Sequence, residues 1–430
     1  MRTTFHHTTS NSKLFKHQLL LWAQQFDDVV WLDSNNYKQA YSNYDAVLAV
    51  DAFTSIKTDV TKAFPHLKEY QSNVKDWIFG YLTYDLKNAV EDLTSQNFDG
   101  LEFPDLYFFQ PKKLFFFKDN HVEIQYLNMV AEEWKEDLKA IRHCEEARRS
   151  NLPNPIKIKL RIHKDAYFEK INRMLAHIHR GDIYEANFCQ EFYAEDTQIN
   201  PLETYLKLNA ISNPPFATFL KCHDTYLLSA SPERYLKKQG HTIISQPIKG
   251  TAKRSANKKK DEQLKKDLLA NDKERSENIM IVDLVRNDLS KTAIKGTVTV
   301  EELCKIYTFD QVHQMISTIT SKIAPQTNPI DVIQSTFPMG SMTGAPKIAA
   351  MKLIEALEET KRGLYSGAVG YMTPTGDFDF NVVIRSILYN ETNRYVSYSV
   401  GSAITAKSDP VKEYEECLVK AKAMRQVLED

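Results

Sequence analysis

Across residues 1–145, short apolar runs alternate with polar turns, at 29–32, 46–50, 77–81 and 114–117. That alternation, bounded by turn residues, predicts strands. Aromatic residues crowd the same runs, as sheet packing favours. Residues 145–155 are charged and then carry Asn and Pro, which predicts a connector with solvated charges. Beyond residue 158 the pattern changes. Tyr167, Ile171, Leu175 and Ile178 recur at helical spacing across Lys164–Arg180, and Gly181 supplies a stop. Strands are predicted at 217–220, 226–230 and 242–248, and helices at Lys258–Ala270, 274–286 and 346–360. Further strands at 367–372, 380–389 and 396–400 precede a last helix at 411–428. No repeat and no regular βαβ rhythm is present, which points to an α+β fold.

Composition narrows the classes. The 430 residues, 42% hydrophobic and 26% charged, suit a soluble chain with a large core. A net charge of -1 gives no overall field that favours nucleic acid or an anionic membrane, so an anionic ligand needs a local site. Five dispersed cysteines, Cys144, Cys189, Cys222, Cys304 and Cys417, form no CxxC pair. They fit a reducing compartment and argue against structural zinc. The apolar stretch at 19–22 is too short for a signal-peptide core. No run of ~18 apolar residues predicts a membrane span. A cytoplasmic location is expected.

Four segments carry candidate chemistry. In Ser231-Pro-Glu-Arg234, Glu233 follows a predicted strand; it can act as a general acid if its pKa is raised, or pair at the surface. In Gln246-Pro-Ile-Lys-Gly-Thr251, Lys249 becomes a nucleophile if a partly buried, cation-rich pocket removes its proton; an exposed lysine is the alternative. The Gly250 amide and Thr251 hydroxyl can donate to a carboxylate. Glu274 and Glu277 share one helix face, and Glu413 and Glu416 share another. Two such faces can hold Mg²⁺, or both can be solvated. The segment 337–347 has glycines at 340 and 344 and Lys347, spacing that does not match the phosphate-binding GxxxxGK[ST] loop. A tight loop into a helix N-terminus, suited to a carboxylate, is the better reading.

In this order the motifs resemble the chorismate-utilising enzyme family, over roughly residues 160–425. They are joined by Gly181-Asp-Ile-Tyr184, the segment 277–288, Gly344-Ala-Pro-Lys347 and Gly401-Ser-Ala403. Residues 1–145 resemble it more weakly, mainly through Trp31-Leu-Asp-Ser34, so 156–430 is expected to be the chorismate-binding catalytic region. The resemblance implies a single large α+β domain of two packed, mostly antiparallel sheets surrounded by helices. It implies that Glu233 protonates the departing 4-hydroxyl of chorismate. It gives Glu277 and Glu416 as Mg²⁺ ligands, with Glu274 and Glu413 behind waters. Gly250, Thr251, His313, Tyr365, Arg385, Gly401, Ser402 and Ala403 become substrate contacts. The Lys249 motif resembles the aminodeoxychorismate-forming members, in which lysine attacks C2 and ammonia then enters at C4. Anthranilate-forming members resemble Pro-Ile-Ala-Gly-Thr at this place. Asn278 and the segment 340–344 also resemble the former type. Glu185 departs from both the lysine of isochorismate-forming members and the usual glutamine of amine-transferring ones. No glutaminase segment is recognised, so ammonia is expected from a separate glutamine amidotransferase. Anthranilate synthesis and an idle chorismate- or tryptophan-binding subunit are the alternatives; Ser34 and 215–217 lie where family members bind tryptophan, with packing the simpler role.

Overall fold

A computed structural model describes residues 1–37, 41–144 and 156–429, and the connector read at 145–155 lies outside them. Two long strands, Ala46–Thr58 and Leu106–Lys118, organise the chain. They run antiparallel to each other, with a register shift between Ala52 and Thr54 opposite Pro111. A proline donates no backbone hydrogen bond, and an irregular ladder lets strands bend. On either side of this break the same two strands serve different sheets, a known way of making a sheet corner.

The first sheet continues from Ala46–Thr58 through Asp28–Asp33, Phe216–Cys222, Thr225–Ser231, Ser386–Asn390, Tyr395–Thr405 and Glu185–Ala194. The second continues from Leu106–Lys118 through Ile78–Leu82, Ala368–Met372, Phe378–Val382, Arg234–Gln239, Thr242–Gln246 and Val312–Lys322. All of these ladders are antiparallel. The expected two sheets are therefore present, but hydrogen-bonded into one network through the shared strands. Residues before 145 pair directly with residues after 156 in both sheets, at Asp28–Asp33 and at Ile78–Leu82.

Apolar side chains settle the packing. One core draws Val30, Ala49, Leu220 and Leu388 from the first sheet and Phe79, Leu236, Val369 and Phe380 from the second. The other lies between the first sheet and the helices Ser12–Ala23, Lys164–Arg180, Pro201–Ser212 and Pro410–Glu429, through Leu19, Ile171, Tyr205 and Met424. Removing this apolar surface from water is the main stabilising term. Among the described residues no helix is long and apolar enough to cross a membrane.

Three expectations change in detail. The strand read at 380–389 is two strands, Phe378–Val382 and Ser386–Asn390, broken where Arg385 adopts a φ of 53°. The strand read at 242–248 ends at Gln246, and a new one, Ile248–Lys253, follows Pro247. The strand Glu185–Ala194 gave no apolar signal, because Glu185, Asn187, Gln190 and Glu191 occupy buried positions in it.

The sheets also show where a side chain has no room. Gly80 lies between the Ala368–Met372 strand and Leu106–Lys118, and an added Cβ would meet the Tyr107 carbonyl oxygen at 1.9 Å. Gly80→Ala is expected to lower stability by about 1–3 kcal/mol through overpacking, read as an earlier midpoint in urea unfolding.

Candidate active site

Lys249 lies at a break in its own ladder. Ile248 and Thr251 pair with Val312–Lys322 in shifted register, and Gly250 between them has a φ of 91°. That conformation suits glycine because it carries no Cβ. An added Cβ at Gly250 would also stand 3.1 Å from Glu274 Oε2. Lys249 Nζ donates to Glu185 Oε1 at 3.1 Å, with the two side chains 12% and 1% exposed. The pair joins the second sheet to the first. The pocket is rich in carboxylates, so the condition under which neighbouring cations would remove the lysine's proton is not met. Burial opposes the charge on Lys249, but Glu185, Glu277 and Glu233 outweigh it and hold the lysine pKa above its ordinary value. In the free protein Lys249 is an ammonium.

Glu233 sits where the chain passes from Thr225–Ser231 in the first sheet to Arg234–Gln239 in the second. It is buried, so the surface-pair reading fails. Its backbone N–H donates to Ser231 Oγ at 3.2 Å, which fixes the turn. Burial pushes its carboxyl up to about 7, against smaller opposing effects of the Ser341 hydroxyl and Lys249. A carboxylic acid half-protonated near neutral pH can give a proton to a leaving oxygen.

The two expected carboxylate pairs do meet. The helix Asp272–Ser290 starts at Asn271, whose side chain accepts from the Glu274 N–H at 3.2 Å. The facing helix is Pro410–Glu429. Lys273 Nζ stands 3.8 Å from Glu277 Oε1 and 3.6 Å from Glu413 Oε1, and Glu416 and Glu274 also act on it. Burial raises Glu277 to about 7 despite Lys249. Glu277 Oε1 has no hydrogen-bond partner. Glu416 is more open and pairs with Lys420 at 2.6 Å. Among the described residues, no three such side chains are gathered closely enough to enclose a metal as they stand. The donor set nevertheless fits a hard divalent cation. Its ligands are all carboxylate oxygens, one is unpartnered, and an ammonium already occupies their midst.

The remaining predicted contacts differ in their surroundings. Thr251 and Ala252 pair with Gln314 and His313 in the adjacent strand. His313 is buried, and its ring nitrogens meet Thr308 Oγ1 at 2.9 Å and Asp261 Oδ1 at 3.2 Å, so both are engaged within the protein. Tyr365 is buried against Cys189 Sγ, 3.8 Å away. Arg385 has no carboxylate within ion-pair distance among the described residues, and burial pushes its pKa down. A half-buried guanidinium without a counter-ion is a receptor for an anion. Gly401, Ser402 and Ala403 lie opposite Cys189, Phe188 and Asn187. A Cβ on Gly401 would stand 2.6 Å from both Asn187 Oδ1 and Cys189 Sγ. Lys347 turns inward onto Thr336 and Pro338 carbonyls and Asp288, so it anchors the 337–347 loop and is not presented to a ligand. A separate cavity is lined by Ser34, Pro215, Phe216 and Asp379.

The sequence profile of the chorismate binding enzyme family matches residues 27–426. The chain belongs to that family. This chorismate binding enzyme is 35% identical, over 82% of its length and 72% of the relative's, to an anthranilate synthase component I-like protein of Synechocystis. It is 40% identical to an aminodeoxychorismate synthase of Streptomyces griseus, over 63% of this chain but only 37% of that longer protein. Its fold matches anthranilate synthase component I of Streptococcus pneumoniae at a TM-score of 0.78 and 24% identity, covering 90% of this chain and 93% of that one. Other structural features of this chorismate binding enzyme had no counterpart in our sequence reading. Glu185 as the partner of Lys249 was one, and Lys273 among the four carboxylates was another. The first contact leaves no local pattern, since residues 185 and 249 are brought together only by the packing of two sheets, whereas Lys273 stands four residues before Glu277 on one helix.

The raised carboxyl of Glu233 makes stability depend on pH. Its folded pKa of about 7 exceeds the usual 4.5, so the folded state holds the proton more tightly. That stabilisation is full below the unfolded value and is lost as pH rises through about 7. Glu233→Gln is therefore expected to be more stable than wild type at pH 8 by on the order of 2–3 kcal/mol, and close to it at pH 4.5. Urea midpoints at the two values provide the comparison.

Proposed function

We propose that this chorismate binding enzyme is an aminodeoxychorismate synthase component, converting chorismate and ammonia to 4-amino-4-deoxychorismate. The observation that carries this reading is Lys249, whose Nζ lies in the buried carboxylate pocket with Glu185 beside it and the raised acid Glu233 acting on it. Direct addition of ammonia at C2 would need no amine there. A lysine in that place serves as a temporary occupant of C2 and directs ammonia to C4.

In this scheme Nζ bonds to C2, the ring double bonds shift, and the C4–O bond breaks. Glu233 supplies the proton that lets the hydroxyl leave as water. Ammonia then bonds to C4, the double bonds return, and Lys249 is expelled. The proton released by the new C4 ammonium restores Glu233. Arg385 and the Gly250–Thr251 segment are suited to holding carboxylates of the substrate. Tyr365 and Gly401–Ala403 shape the pocket wall. Glu277 and Glu416 would hold Mg²⁺ directly, with Glu274 and Glu413 acting through water, and the ion would neutralise a ring carboxylate. The "component" names of the relatives support a separate glutamine amidotransferase as the ammonia source. Free thiols at Cys189, Cys222, Cys304 and Cys417, with Cys144, support a reducing, cytoplasmic setting.

The direct test is product analysis by mass spectrometry with chorismate, Mg²⁺ and an ammonium salt at mildly alkaline pH. The wild type is expected to yield aminodeoxychorismate, and Lys249→Ala to lose it. Glu233→Gln is expected to slow turnover by about 10²–10⁴-fold, as loss of a general acid does. Anthranilate as the wild-type product would refute the assignment. Titration calorimetry tests the metal site independently of turnover. Glu274→Gln and Glu413→Gln are expected to weaken Mg²⁺ binding by about 10–100-fold.

A further inference from the structure

The Lys249–Glu185 pair raises a problem that the reaction must solve. An ammonium is not a nucleophile, and the pocket holds Lys249 in that form. Groups acting on Lys249 include Glu185 on the Glu185–Ala194 strand, Glu233 at the crossing between sheets, and Glu277 on the Asp272–Ser290 helix. Lys249 in turn acts on Glu274 and Glu416. Of these, Glu185 is the carboxylate that touches Nζ, at 3.1 Å among the described residues.

Glu185 is not held as structural carboxylates are. Its side chain is 1% exposed, yet Oε2 has no hydrogen-bond partner and Oε1 accepts a hydrogen bond from Lys249 Nζ. A buried charged oxygen left unpartnered costs roughly 1–3 kcal/mol or more, so a fold that needed only an ion pair would cradle it. Moving one proton from Nζ to Oε1 turns two buried charges into two neutral groups, which water exclusion favours.

We propose that Glu185 is the proton acceptor that activates Lys249. This rests on the covalent-lysine reading given above. When substrate fills the pocket, Glu185 takes one proton from the ammonium and becomes a carboxylic acid. The neutral amine uses its freed electron pair to bond to C2, becoming a secondary ammonium as the C4–O bond breaks and Glu233 protonates the departing oxygen. When ammonia bonds to C4, the C2–N bond breaks, and its electrons return to Lys249 as a neutral amine. Glu185 then gives the proton back, and the ion pair is restored. Over the cycle chorismate and ammonia become aminodeoxychorismate and water, with both residues unchanged. Glutamine at this position could hold the lysine but not accept its proton.

Intact-protein mass spectrometry after mixing with chorismate and Mg²⁺, without ammonia, measures formation of the Lys249 adduct as a gain of chorismate less water. In wild type, the rate is expected to fall about tenfold per pH unit above about 7, as Glu233 loses the proton it must donate, with no opposing rise because the lysine proton is taken internally. In Glu185→Gln, it is expected to fall at least 100-fold at pH 7 and to stay level above that, because solvent must now take the proton and neutral Lys249 then gains with pH what protonated Glu233 loses. Glu185→Asp keeps the carboxylate and is expected to follow the falling wild-type profile, at a reduced rate. A falling profile and wild-type rate in Glu185→Gln overturn the inference. So does a level profile in wild type itself, a result independent of whether any variant folds. If wild type makes aminodeoxychorismate but never carries an adduct on Lys249, the covalent-lysine reading falls, and this inference with it.

Discussion

The site depends on an ion pair that crosses between two sheets. Lys249 belongs to the second sheet and Glu185 to the first, and their contact at 3.1 Å is where the two meet chemically. Charge balance explains much of what surrounds it. Glu185, Glu233 and Glu277 are buried within one region. Carboxylates cannot be concentrated out of water without cations or protons to compensate them. Lys249 supplies one positive charge, and Lys273 supplies another between Glu277 and Glu413. The residual excess is met by protonation, with Glu233 and Glu277 both pushed up to about 7. Such a region is prepared for added positive charge and for proton exchange near neutral pH.

The backbone places these groups by departing from regular structure. Glu233 lies in the crossing between strands, Lys249 in a ladder irregularity, and Arg385 at a left-handed residue that splits one expected strand in two. Regular strands on either side hold each departure in place. Site residues thus project from rigid supports instead of from long loops, which fixes their spacing closely.

The sequence revealed the elements with local signals and missed those without. The helix Lys258–Ala270 was read to its ends from its charged, solvated sequence, and the structure adds Asn257 as its cap. Lys164–Arg180 was equally legible from its apolar stripe and Gly181. The strand Glu185–Ala194 was silent, since its buried faces carry Glu, Asn and Gln where apolar residues are usual. The same lack of local signal hid the contact between Glu185 and Lys249. Motifs picked out Glu233 and Lys249 by residue type and order, but their environment is tertiary. The pocket's net sign was not legible because its carboxylates come from four distant segments. Glu277 and Glu413 were assigned to two helices, and Lys273 lies four residues before Glu277, but its contact with Glu413 across the helices leaves no sequence signal.

The strands Ala46–Thr58 and Leu106–Lys118 are each continuous through both sheets. Two sheets welded in this way cannot swing apart as hinged lobes do. The cleft beside the Lys249–Glu185 pair then behaves as a gauge of fixed width, held by covalent chain and not by a closing motion. Ligands would be sorted by whether they fit between the jaws. A substitution in the weld, far from any reacting atom, would retune that gauge.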